Sequence, residues 1–272
     1  MRQPLAAGRF YPEDKERLER IVRSFLVSGA RKNMRAGIVP HAGYLFSGRT
    51  AGKVFSILPE KKIFILLGVN HSGVGKKVCI SLDDWETPMG IVRNDKELGI
   101  RIFERLGAEK IEVEINEKAH SYEHSIEVEL PFLQLSQKQT DIVPIIFKNL
   151  DYEECRKIGT ILSEFVSDEI FFLVSSDFTH YGGGYGFTLF SAGKDNFEKY
   201  DKDIVDSVVK LQGKTFYDKA SKGTVCGIYG ITILIELAKL KRWHGELISY
   251  SNSADVSGDW ENVVGYVGVG FE

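Results

Sequence analysis

Apolar positions along the chain follow two rhythms. Leu18, Ile21, Val22, Phe25 and Leu26 recur at i, i+3, i+4, i+7 and i+8, which predicts a first helix opened by Pro12. Ala51, Val54, Phe55 and Leu58 predict a second helix over about 50–58. Leu98, Ile102, Phe103 and Leu106 predict a third, with Asn94 as N-cap and Glu97 as its reciprocal acid. Further helices are expected over 152–166, 196–211 and 226–240, and over 121–130, where Pro131 bends or ends the helix. The second rhythm is the short apolar run bounded by turn residues. It occurs at 35–40, 63–68, 141–147 and 169–175, and reads as strands covered on both faces. Residues 110–115 alternate as a half-buried strand, and 246–250 and 263–269 close the series. Strands alternating with helices predict a single α/β domain over 1–272, with a central, mainly parallel sheet flanked by helices. No repeat or Pro/Ser-rich linker divides it.

Composition excludes several classes. The chain is 272 residues long, 43% hydrophobic and 11% aromatic, which rules out a disordered chain. With 35 basic and 38 acidic side chains, the net charge of −3 gives no global field for nucleic acid or an anionic membrane. No apolar run approaches the roughly 20 residues of a spanning helix, and the first residues show no secretory h-region. Three widely spaced cysteines argue against a disulfide scaffold and for a reducing cytoplasm.

Polar residues gather where strands end, the usual location of ligands in open α/β sheets. His41 follows the run at 35–40, His71 follows 63–68, and Asp177 and His180 follow 169–175. Each histidine has a nearby glycine (Gly43, Gly73, Gly182) that permits close backbone approach. Cys226 precedes the apolar stretch 228–240, where Thr224 as N-cap would place it in a first helical turn that favours a thiolate. Cys79 and Cys155 lack such a context and read as packing residues. His41 and His71 with Asp177 would make a two-histidine, one-carboxylate set suited to Fe(II); with Cys226 the set shifts toward copper or zinc. His180 then remains as an acid or base. Residues 120–124 spell H-x-x-E-H, an inverted zinc-peptidase pattern. The glycine-rich run 181–187 reads as a loop over the site, and 251–259 as a polar rim.

Across these segments the chain resembles the Memo family (mediator of cell motility), called AmmeMemoRadiSam system protein B in microbes. The resemblance rests on AGRFYP at 7–12, VPHAGYLFSG at 39–48, GVNHSG at 68–73, EHSIEVELPFL at 123–133, SSDFTHYG at 175–182 and TVCGIYG at 224–230. It implies a fold similar to class III extradiol dioxygenases. It also implies copper or iron at His41, His71 and Cys226, with Asp177 and His180 beside them as catalytic residues. Tyr44, Glu123 and His124 are candidates to stand behind the ligands. Cys226 replaces the glutamate of the dioxygenases, so redox chemistry other than ordinary catechol cleavage is expected. The microbial group name implies radical-SAM and AMMECR-type partner proteins. Two alternatives are a module that binds a small molecule, peptide or protein in a reused pocket, and a zinc peptidase on the H-x-x-E-H segment.

Overall fold

A computed structural model describes residues 1–272. The strands in chain order are β1 (Ala36–Val39), β2 (Ile63–Val69), β3 (Val78–Ile80), β4 (Trp85–Thr87), β5 (Gly90–Val92), β6 (Val113–Ile115), β7 (Asp141–Phe147), β8 (Ile170–Ser175), β9 (His180–Tyr181), β10 (Gly245–Asn252) and β11 (Val263–Phe271). The helices are α1 (Lys15–Phe25), α2 (Tyr44–Ile57), α3 (Lys96–Ala108), α4 (Glu117–Ser121), α5 (Leu130–Ser136), α6 (Tyr152–Ser163), α7 (Lys194–Val209), α8 (Gly213–Ala220), α9 (Ile228–Lys241) and α10 (Ala254–Ser257).

One sheet runs in the order β10-β11-β1-β8-β2-β7-β3-β6, with β9 added beside β11. Its middle is parallel: β1 with β8, β8 with β2, and β2 with β7. The antiparallel pairs lie toward the edges, β11 with β1 and with β10 on one side, and β3 with β7 on the other. The middle strands are apolar on both faces because both are covered. Ile65 and Leu67 of β2 join a core with α3, α6, α7, α8 and α9, while Phe64 and Leu66 join the opposite core with α1, α2 and α5. Parallel alignment brings the ends of β1, β8 and β2 to one edge of the sheet, where Val39 pairs with Ser175 and Leu67 with Val174.

Four local expectations are corrected. Helix α1 begins at Lys15, after Pro12, because the Asp14 side chain accepts from Arg17 N. Helix α3 is capped by Asp95, which accepts from Leu98 N; Asn94 instead donates its amide to the carbonyls of Ser81 and Asp83. The segment 121–130 is not one helix. α4 stops at Ser121, a 3-10 turn spans Glu127–Glu129, and Pro131 sits in the first turn of α5, where its missing N–H costs nothing. α9 starts at Ile228, so Cys226 lies just ahead of it. Thr224 does not cap that helix; its hydroxyl donates to His180 O and accepts from His180 N. No helix is long and apolar enough to cross a membrane.

Candidate metal centre

A cleft of about 520 Å³ opens at the carboxyl end of the parallel strands. His41, His71, His124, Asp177, His180 and Cys226 line its floor, and Phe10, Phe46, Tyr185 and Tyr266 stand around them. Ser253, Ser257 and Asp259 add a polar rim from the segment after β10, and Tyr185 comes from the glycine-rich loop.

The histidines are held from behind. Glu123 is fully buried and accepts from His71 N at 2.7 Å, His124 N at 2.8 Å and Ser125 N at 2.8 Å, with His71 Nδ1 at 3.0 Å. Burial pushes this carboxyl up, but the hydrogen bonds from His71 and the Ser125 amide outweigh it and hold it at about 2. An ionised carboxylate only accepts, so His71 Nδ1 donates to it and Nε2 is the ring nitrogen it leaves unengaged. His41 Nδ1 lies 3.0 Å from Ser175 Oγ, again leaving Nε2 for the cleft. Burial and then neighbouring His71 push His41 down to about 3, so its imidazole is neutral at neutral pH. Burial and then His41 likewise lower His124 to about 4. His180 Nδ1 faces the carbonyls of Phe178 and Thr224 at 3.0 and 3.1 Å and must donate to them. Its Nε2 lies 3.9 Å from Cys226 Sγ.

His41, His71 and Cys226 each bring a ligand atom within 4.8 Å of the others. The group His71, Glu123 and His124 is equally compact, but there the Glu123 oxygens are already occupied by N–H donors. The first set therefore fits a metal better. Asp177 is not part of either set; its Oδ1 accepts from the amides of His41 and Ala42 at 2.9 and 3.2 Å. Burial raises Asp177 above the usual carboxylate range, and burial followed by the Asp177 charge raises the Cys226 thiol.

Cys226 is positioned by backbone contacts. Cys226 N donates to Asp177 O at 3.3 Å, and Gly227 N donates to Ser176 Oγ at 2.8 Å. A Cβ at Gly227 would lie 2.5 Å from Ser176 Cβ, so this approach needs glycine. Gly227→Ala is expected to cost roughly 1–3 kcal/mol by overpacking, read from the urea midpoint, and to move Cys226 away from the histidines.

Two expected residues take other places. Tyr44 does not line the cleft. It packs against Tyr11, Phe25 and Phe132 and donates to Val128 O at 2.6 Å. His120 is buried, with Nε2 donating to Cys79 O and its ring edge-on to Trp85. Since α4 ends at Ser121, His120 and His124 do not share a helical turn, and the peptidase geometry of H-x-x-E-H is absent. Phe10, Ser125 and Ser175 lie within the segments 7–12, 123–133 and 175–182, but their place at the cleft follows only from contacts between those segments.

The comparisons decide the lineage. A family profile described as Memo-like protein matches residues 2–270. The chain belongs to the Memo family. MEMO1 family proteins of Methanosarcina barkeri and Aquifex aeolicus are 35% and 36% identical to it, over 99% and 100% of this chain and 99% of each relative. A MEMO1 family protein of Pyrococcus furiosus is 34% identical, over 99% of this chain and 98% of its own. The crystal structure of the uncharacterized protein JW3007 from Escherichia coli K12 covers 86% of this chain and 99% of its own with a TM-score of 0.59. At 12% identity that likeness shows a shared fold alone. The Memo-family segments named above include His41, His71, Asp177, His180 and Cys226, all of which line this cleft.

Proposed function

We propose that this Memo-family chain holds copper or iron at His41, His71 and Cys226 and carries out redox, dioxygenase-like chemistry on a small molecule in the cleft. The observation that carries this is the convergence of two imidazoles and a thiol within 4.8 Å, with both histidine Nδ1 atoms engaged from behind. A bound copper or iron ion would supply one-electron chemistry and polarise a ligand beside it. The rest falls to the chain. His180 Nε2 is placed to take a proton from Cys226 or from a bound molecule, and Asp177 holds the His41 backbone in place. Phe10, Phe46, Tyr185 and Tyr266 give the cleft an aromatic wall against which a small molecule can pack.

Anaerobic titration with Fe(II) and Cu(I) tests the reading, with elemental analysis of the purified protein. Wild type should bind one of these ions stoichiometrically, while His71→Ala and Cys226→Ser should lose more than the roughly 10–100-fold that removal of an outer partner costs. Equal affinities in all three proteins would sink it. Because burial raises the Cys226 thiol, it is protonated at neutral pH without metal, and binding must expel that proton. Affinity should therefore climb as pH rises, with proton release visible in weakly buffered titrations and absent in Cys226→Ser.

A further inference from the structure

Behind His41 lies a buried carboxyl that the proposed chemistry does not use. Glu129 is almost fully buried, with Oε1 2.9 Å from Ser175 Oγ and no partner for Oε2. Ser175 Oγ has three neighbours: Glu129 Oε1, His41 Nδ1 at 3.0 Å and Ser125 O at 2.6 Å. A hydroxyl has one proton to give and two lone pairs to offer. The Ser125 carbonyl can only accept, and it is the closest of the three, so it takes the hydroxyl proton. Both other neighbours must then donate to Ser175 Oγ.

We propose that Glu129 is a positioning residue: a neutral carboxylic acid that donates to Ser175 Oγ and, through it, keeps the His41 proton on Nδ1 and the Nε2 lone pair facing the cleft. An ionised Glu129 would compete for the same hydroxyl proton, leaving either it or the Ser125 carbonyl without a donor. Nor is there a cation to support the charge, since Glu129 forms no ion pair, in contrast to Glu127 two residues earlier with its Arg2 guanidinium. The groups that face it, Tyr44 and Asp177, are not basic. Burial pushes the Glu129 carboxyl well above its ordinary range, and the Asp177 charge raises it further. A neutral acid used as a donor in an apolar site is a known device.

The consequence for affinity rests on the metal-centre reading; the protonation pattern does not, and is tested without metal. In metal-free wild type, imidazole ¹⁵N NMR should place the His41 proton on Nδ1. The infrared difference between wild type and Glu129→Gln should contain a carboxylic-acid carbonyl band at neutral pH. Ser175→Ala, which removes the shared acceptor, should give His41 mixed tautomers and lower Fe(II) affinity by roughly 10–100-fold. Glu129→Gln retains an N–H donor and should keep both tautomer and affinity. A His41 proton on Nε2 in wild type overturns the proposal, as does a carboxylate band where the acid band is expected. Should Ser175→Ala fail to fold, the wild-type spectra and the Glu129→Gln difference still decide it. Failure of wild type to bind Fe(II) or Cu(I) with both spectra as expected would instead defeat the metal-centre reading.

Discussion

Glu127→Ala is expected to destabilise the protein by roughly 3–5 kcal/mol, the range for removing one partner of a buried ion pair. Glu127 Oε2 lies 2.6 Å from Arg2 Nη1, and both side chains are buried. The same carboxylate accepts from the amides of Leu5 and Ala6 at 2.8 and 2.7 Å and from the Tyr11 hydroxyl at 2.5 Å. Truncation leaves a guanidinium charge, two amides and a phenol without their acceptor. Arg2 also donates to the carbonyls of His120 and Glu123 and stacks over Trp85, so it cannot swing out to water without giving up those contacts. Urea unfolding gives the global loss, and hydrogen exchange should show residues 2–11 exposed first. A loss under about 1 kcal/mol would mean that the pair is no better than a surface bridge.

Glu123→Gln is expected to weaken Fe(II) or Cu(I) binding by roughly 10–100-fold while the metal-free protein remains folded. An amide offers one oxygen where the carboxylate receives His71 N, His71 Nδ1, His124 N and Ser125 N, and its NH₂ would face donors. Each buried N–H left unpaired costs roughly 1–3 kcal/mol. The His71 ring also loses the acceptor that keeps its proton on Nδ1, so the tautomer that presents Nε2 is no longer enforced. Paired titrations and urea melts separate the two effects. A stability loss with unchanged affinity would reduce Glu123 to a structural anchor.

Strands were easiest to read because the parallel middle of the sheet is apolar on both faces; the run at 141–147 is β7 without adjustment. What escaped notice was short or non-local. The three-residue strands β3, β4 and β5 carry too few positions for a period to emerge. The segment 121–130 carries apolar residues at helical spacing, yet it is bent to deliver Glu123 to His71 and Glu127 to Arg2, and tertiary contacts override the pattern. His41, His71 and His180 stood out because they follow strand ends, where α/β sheets place their ligands. Glu129 and Ser175 did not, because their meaning lies in a single hydroxyl proton shared by residues far apart in the chain.

The proposed ligands come from the ends of β1 and β2 and from the turn before α9, late in the chain. A nascent chain has both histidines long before it has the cysteine, and the cysteine is placed only once α9 has docked behind β8. On the proposed reading, an ion held by all three donors is expected to bind after α9 has packed, unlike the metal of a small domain that is unfolded without it. On that reading, metal loading becomes a step separate from folding, set by the supply of the ion.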